Sequence, residues 1–232
     1  MLRKLIFELN EKSNKDKALI LQRFFKIWPW EYWEWDIFLW ITVPIVRNIA
    51  KKYLNLSFKN LEKLLHSNIH EYRFVALCIL RINFEKSKDE LFNQQIINFT
   101  FKNILKINNW DLVDLYIPYV FWRYFFNKDK KFIYEYIKSD NLWIKRIWVM
   151  TCFYDIKNNQ FDDIIKISEL LLYDKHDLIH KCTWWMLRET WKRNINILYN
   201  FLDKYYKIMP RTMLRYSIEK LDKDKKTYYM KK

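Results

Sequence analysis

The sequence contains no glycine among its 232 residues. Glycine normally contributes about 7% of a soluble protein, because turns and helix ends need backbone with positive φ. Its absence excludes motifs that depend on it: the phosphate-binding P-loop, the dinucleotide-binding G-x-G-x-x-G turn and the tight turn that presents a nucleophilic serine. Enzymes built on those loops are therefore excluded.

Cysteine is scarce, and long apolar runs are missing. Cys78, Cys152 and Cys182 form no C-x-x-C pair, which predicts neither a disulfide framework nor a zinc site and fits a reducing cytoplasm. No apolar run reaches the roughly 18 residues needed to span a bilayer, and no signal peptide is recognised. We therefore expect a cytoplasmic protein that spans no membrane and uses no metal or other cofactor.

Negative charge is also in deficit. Lys and Arg number 42 against 27 Asp and Glu, a formal net charge of +15. Such an excess suits a polyanion, either nucleic acid or an anionic membrane surface. A membrane-binding segment would need an uninterrupted apolar face, which the sequence lacks. The charge therefore favours nucleic acid, and the alternative is the Lys-rich bias of an AT-rich genome.

The residues that are present predict helices throughout, because apolar positions recur at spacings of three and four among strong helix formers. Helices are predicted over residues 2–11, 16–27, 44–54, 58–66, 70–84, 89–107, 111–126, 130–138, 141–157, 161–173, 176–193, 195–206 and 210–222. No segment alternates as a strand would. The fold class is therefore predicted to be all-α.

Short helices joined by brief polar links favour stacked helix pairs of about 35–40 residues. We therefore predict a single domain over residues 1–232, a HEAT-like helical repeat solenoid (an α-α superhelix) with a concave basic face. A single helical bundle is the alternative. The charge run over 222–232 is predicted to be a frayed basic tail.

One segment combines an indole with a carboxylate. Asn109 or Asp111 could cap a helix that begins near Trp110. Trp110 and Asp114 are four residues apart and so share a helix face. A ring face and a carboxylate both stabilise a cationic sugar or base. The alternative interpretation is a capped helix with a core tryptophan.

Basic residues that could bind phosphate become more frequent toward the C-terminus. This predicted phosphate-binding set comprises Arg146, Lys175, Arg188, Lys192, Arg193, Arg211 and Arg215. The alternative is a solvated or ion-paired face. His176 and His180 are also four apart, but they lack the glutamate of the H-E-x-x-H zinc motif. Rather than a metal site, we expect Asp174, Asp177 or His180 to satisfy helix ends or the neighbouring helix.

Several segments in order carry a family resemblance. They are LLHS (64–67), HEYR (70–73), NWDLVD (109–114), SDNLWIKR (139–146), DKHDLIHK (174–181), WMLRE (185–189) and MPRTMLRY (209–216). Together they resemble the HEAT-like DNA alkylation repair enzymes, the AlkD family of alkylpurine DNA glycosylases. The resemblance covers residues 20–222.

The resemblance implies hydrolysis of the N-glycosidic bond of N3- or N7-alkylated purines in double-stranded DNA, by a monomer and without base flipping. It implies that Asp114 stabilises the oxocarbenium-like sugar and positions a water. Trp110 and Trp185 would line the cleft, and Arg146 would hold a phosphate. The rival interpretation is a non-catalytic helical-repeat scaffold that binds DNA or protein.

Where this sequence departs from the family, tryptophan stands at positions that are typically glycine. These positions are Trp28, Trp30, Trp33, Trp35, Trp40, Trp122, Trp184 and Trp191, and Trp148 stands where a small residue is expected. We hypothesise that the source decodes UGA as glycine, so that translating UGA as tryptophan replaced each glycine.

Overall fold

A computed structural model describes residues 1–14 and 36–231. The chain divides into two compact units, Met1–Val120 and Phe121–Lys232. Across the described residues the only strand-like feature is an isolated parallel bridge between Ile37 and Ile69, so the predicted all-α class is confirmed. The helix predicted over 16–27 lies outside the described residues, as do Trp28, Trp30, Trp33 and Trp35.

The first unit is organised around one long helix. Its helices are α1 Leu2–Glu11, α2 Val43–Ala50, α3 Phe58–Leu65, α4 His70–Lys86, α5 Glu90–Lys102 and α6 Trp110–Tyr116, with 3-10 turns at Ile104–Lys106 and Ile117–Tyr119. Helix α4 packs against α2, α3, α5 and α6. Residues 70–80 are all buried, as expected of a helix surrounded on every side. Helix α4 is therefore the scaffold to which the other helices of this unit attach.

The second unit repeats this plan. Its helices are α7 Phe121–Phe125, α8 Ile133–Tyr136, α9 Leu142–Thr151, α10 Phe153–Lys157, α11 Asp162–Leu170, α12 Asp177–Trp191, α13 Ile195–Tyr205, α14 Arg211–Ser217 and α15 Lys223–Met230. Helix α12 packs against α9, α10, α11, α13 and α14. A core that includes Leu187, Leu202 and Met213 forms on one side of it.

Two predicted helices are divided in the structure. The helix predicted over 111–126 becomes α6, a 3-10 turn and α7, because Pro118 has no N–H to donate and its ring clashes with the preceding helical turn. The helix predicted over 141–157 divides at Cys152 into α9 and α10. No proline or other helix breaker marks that second division, so it could not be read from residue type.

The basic tail differs from the frayed end expected of its charge run. Residues Lys223–Met230 form helix α15, capped by the side chain of Asp222. Tyr229 is only 1% exposed, and its hydroxyl donates to Asp203 Oδ1 at 2.8 Å. The aromatic residue anchors the helix to the core of the second unit, and the lysines around it remain in solvent.

Three residues adopt left-handed backbone, with φ near 60°: Trp40, Asn127 and Asn159. Asparagine tolerates this region, but a bulky side chain there is strained, because its Cβ approaches the following carbonyl. Position 40 therefore has a backbone conformation that favours glycine. It is one of the positions at which the family resemblance leads us to expect glycine.

Within 1–14 and 36–231, no helix is both long enough and apolar enough to cross a membrane.

Candidate functional site

The tryptophan and carboxylate pair lies on helix α6 of the first unit. Of the two predicted caps, Asn109 is the one used: its side-chain oxygen accepts from the N–H of Asp111 at 3.3 Å. Trp110 and Asp114 are both half-buried and lie one turn apart on one side of the helix. The indole and the carboxylate therefore share a face that is partly open to solvent.

Helix α4 holds the beginning of α6 through two side chains. His70 Nε2 lies 2.7 Å from Asp111 Oδ2, and Arg73 donates to Asn108 Oδ1 at 2.6 Å. Arg73 also forms a buried ion pair with Asp36. The two contacts fix the residues on either side of the cap, so the position of α6 depends on the first turn of α4.

His70 lies between two carboxylates. Its Nε2 contacts Asp111, and its Nδ1 lies 3.7 Å from Asp36 Oδ2. Burial by itself lowers the pKa of His70, but the charge and hydrogen bond of Asp111, with Asp36 and Glu71, outweigh burial and raise it to about 9. Burial likewise opposes ionisation of Asp36, yet His70 and Arg73 hold the pKa of its carboxyl below the usual value. His70 is therefore an imidazolium at neutral pH.

Glu71, the next residue on α4, holds the segment that contains Trp40. Its buried carboxylate accepts from the backbone N–H groups of Leu39, Trp40 and Ile41 at 2.8, 2.7 and 3.3 Å. These bonds hold the left-handed turn at Trp40 in place. Beside the turn lies a largely apolar cavity of about 200 Å³, lined by Phe38, Trp40, Ile41, Thr42, Val43, Val46, His70, Glu71, Phe74 and Asp111.

Arg146 lies on helix α9 of the second unit and is only 5% exposed. Its guanidinium donates to the carbonyl of Leu178 at 3.0 Å. Beside it, Lys145 forms an ion pair with Asp174. Arg146 therefore attaches α9 to the first turn of α12, and Lys145 attaches it to the turn that precedes α12. The solvated arginine expected as one alternative is not found, because the side chain turns inward to a backbone acceptor.

The two histidines of the 174–181 segment complete the same turn. His176 caps α12, accepting at Nδ1 from the N–H of Leu178 at 3.2 Å. His180 Nε2 lies 2.6 Å from the carbonyl oxygen of Asp174. Both side chains therefore serve the helix end, a role that the sequence predicted for His180 and not for His176. Among the described residues, no cluster of histidine, cysteine or acidic side chains has metal-binding geometry.

Helix α12 also carries the second predicted cleft tryptophan. Trp185 is half-buried and contacts the ring of Phe153, with centroids 6.0 Å apart. Its neighbour Trp184 stacks on Tyr216 at 4.6 Å, and the guanidinium of Arg188 lies 4.8 Å from the Trp184 ring centroid. Arg188 is half-exposed and lies over the ring of Trp184, which stacks on Tyr216, so it is well placed to bind an anion.

The remaining members of the predicted phosphate-binding set are mostly at the surface. Lys175, Lys192, Arg211 and Arg215 are exposed. Lys192 and Arg193 both pair with the carboxylate of Glu189, and Arg188 Nη1 lies 3.8 Å from Glu219 Oε2. Lys175 lies in the turn before α12, and Arg211 begins α14.

Two tryptophans lie in the interior of the second unit: Trp122, where glycine was expected, and Trp148, where a small residue was expected. Trp122 is buried and meets the rings of Phe153 and Tyr154 edge-on. Trp148 is fully buried among aromatic rings. The buried indole N–H groups of Trp122 and Trp184 donate to no residue that the structure describes. A buried donor without an acceptor costs about 1–3 kcal/mol. The described surroundings of these two positions therefore lack the hydrogen-bond acceptor that an indole N–H needs.

Sequence reasoning missed the cluster formed by Asp36, His70, Glu71 and Arg73. The HEYR segment was noted as similar to the family but had no role, because its partners Asp36 and Asp111 are more than 30 residues away in the chain. A buried helix that begins with three ionisable residues was the available signal, since such groups need partners.

These features define a basic, all-helical protein in which a carboxylate and an indole share one helix face. The sequence profile described as DNA alkylation repair enzyme matches residues 5–221. The chain therefore belongs to the family of DNA alkylation repair enzymes.

Structure comparison points the same way. The fold is similar to that of a solved structure described as a predicted DNA alkylation repair enzyme from Enterococcus faecalis. The match has a TM-score of 0.70 and 15% sequence identity, and it covers 91% of this chain and 98% of that one. At this identity the likeness shows a shared fold. No curated protein matches the chain.

Proposed function

We propose that this protein is a DNA glycosylase that removes N3- and N7-alkylated purines from double-stranded DNA by hydrolysing the N-glycosidic bond. Family membership supports a role in alkylation repair. The observation that carries the proposal is the half-buried carboxylate of Asp114 one turn from the indole of Trp110, on a helix held at its start by buried charged groups.

The proposed chemistry needs little acid catalysis, because an alkylated purine is already cationic and leaves readily. As the bond breaks, positive charge develops on the sugar. Asp114 stabilises that charge and orients the attacking water. Trp110, on the same face, offers a ring whose negative face attracts a cation. We also assign Trp185 a role in contacting the DNA backbone, and the base is not flipped into a pocket.

The phosphate backbone is held by exposed and half-exposed cations of the second unit. Lys175, Arg188, Lys192 and Arg211 have side chains that solvent reaches, so we assign the phosphate contacts to them. The resemblance gave Arg146 this role. Its buried bond to Leu178 supports a different one, in which Arg146 holds the first turn of α12, just after the turn that presents Lys175. We further propose that the protein acts as a cytoplasmic monomer built from HEAT-like repeats.

The test is release of 7-methylguanine from methylated duplex DNA under single-turnover conditions. We expect the parent protein to release the base and Asp114→Asn to lose at least about 100-fold in rate, since the uncharged amide cannot stabilise the sugar cation. Duplex binding by Asp114→Asn should stay within about threefold. A parent protein that binds the duplex but releases no base would instead support the scaffold interpretation.

A further inference from the structure

We propose that His70 is a positioning residue for base excision: it holds Asp111, and through Asp111 it holds the face of helix α6 that carries Asp114. This inference rests on the proposed glycosylase function and assigns to that site a residue outside the predicted set. His70 does not touch the reacting atoms.

The contacts of His70 leave it little freedom. The ring is buried, its Nε2 lies 2.7 Å from Asp111 Oδ2, and Phe38 stacks on it with centroids 4.7 Å apart. The backbone N–H of His70 donates to the carbonyl of Ile37 at 2.8 Å. Since Phe38 and the backbone bond to Ile37 hold the imidazole, its Nε2 sets where the Asp111 carboxylate can lie.

The charges around His70 make the contact with Asp111 depend on the imidazolium. Three carboxylates face this cluster: Asp36 from the segment before α2, Glu71 from α4 itself and Asp111 from α6. Arg73 supplies the second cation, and it pairs with Asp36 rather than Asp111. Without the charge of His70, Asp111 would be a largely buried carboxylate facing other carboxylates. Such a group moves toward water.

Displacement of Asp111 would reach the catalytic carboxylate because the two residues are three apart on one short helix. A side chain at i and one at i+3 lie on neighbouring parts of the same face. Side chains of α4 hold the start of this helix at Asn108 and Asp111, and Arg81 holds its end by donating to the carbonyl of Leu115 at 3.0 Å. Misplacement of a catalytic group by about 1 Å can cost on the order of 100-fold in rate.

The experiment compares full-length variants on a duplex that contains 7-methylguanine. His70→Gln removes the charge, and Asp111→Asn removes the charge of the acceptor with little change of shape. Each is expected to lower the single-turnover rate by about 10- to 100-fold while the Kd for the duplex stays within about threefold. Because both changes break one contact, the double variant should be no slower than the slower single variant.

His66→Gln is the matched control. His66 also uses Nε2, 2.9 Å from Asn103 Oδ1, but it belongs to no part of the proposed site, so its excision rate should equal that of the parent. If His70→Gln does not fold, Asp111→Asn carries the test.

Rates of His70→Gln or Asp111→Asn within twofold of an active parent, or losses that multiply in the double variant, would overturn the role of His70. A parent protein without excision activity would overturn the proposed function itself, and this role with it.

Discussion

Among single residues, Trp40 is the position where backbone and side chain conflict most directly. Its φ is 59°, a value at which a non-glycine residue is strained by about 1–3 kcal/mol, and three hydrogen bonds to Glu71 hold the turn. Trp122 and Trp184 add buried indole donors for which the described residues supply no acceptor. These observations support the hypothesis that glycine occupies such positions in the natural protein.

We therefore expect peptide mass spectrometry of the protein isolated from its source to show glycine at positions 40, 122 and 184. Glycine would relieve the strain at residue 40, because it has no Cβ, and it would remove the two unsatisfied donors. Trp110 and Trp185, which match family tryptophans, are the internal controls and should be read as tryptophan. Finding tryptophan at position 40 would refute the decoding hypothesis.

His70 gives a second prediction for a single residue, because its pKa is raised from the ordinary 6.5 to about 9 in the folded protein. The folded state then binds the proton more tightly than the unfolded state. The resulting stabilisation is fully present below pH 6.5 and is lost as the pH rises through 9.

Relative to His70→Gln, the parent should lose about 3 kcal/mol of unfolding free energy between pH 6 and pH 10. Urea unfolding at the two values measures this difference, with His66→Gln as the control. A gap between parent and His70→Gln that does not change with pH would contradict a buried imidazolium.

Among the secondary-structure elements, the first turn of α4 determines the position of α6 and of the segment before α2. Within four residues, His70 contacts Asp111 of α6, Glu71 holds the segment before α2, and Arg73 holds Asn108. Helix α12 has the same central place in the second unit, where His176 and His180 secure the turn before it. In each unit a long buried helix therefore holds the shorter elements packed around it.

Helix α15 provides a test of how elements are held, because its two adjacent tyrosines differ in burial. Tyr229 is 1% exposed and Tyr228 is 51% exposed. Tyr229→Ala should lower the unfolding free energy by roughly 3–5 kcal/mol, as truncation of a large buried side chain does. Tyr228→Ala, the control, should cost less than about 1 kcal/mol. Equal small losses in chemical denaturation would mean that the tail frays after all.

For the whole molecule, the net charge of +15 determines how binding responds to salt. Each phosphate neutralised by Lys or Arg releases counterions, so the logarithm of affinity falls linearly with the logarithm of salt concentration.

Lys175→Ala should weaken duplex binding to a similar degree for all sequences and reduce the magnitude of the salt slope by about one. Lys59, an exposed lysine on α3 outside the proposed set, is the control, and Lys59→Ala should leave the slope unchanged. A slope unaffected by Lys175→Ala would remove that residue from the phosphate contacts.

The sequence by itself determined the helical class, most helix positions, a cap at Asn109 or Asp111 and the placement of Trp110 and Asp114 on one helix face, because all of these depend on residue type and on spacings of a few residues. It could not place Arg146, whose acceptor at Leu178 lies 32 residues away, nor could it show that Tyr229 anchors the charged tail. Only the tertiary structure decided these points and joined His70 to Asp111. Such contacts arise from packing between distant segments, and buried charges take whichever partner the fold brings near.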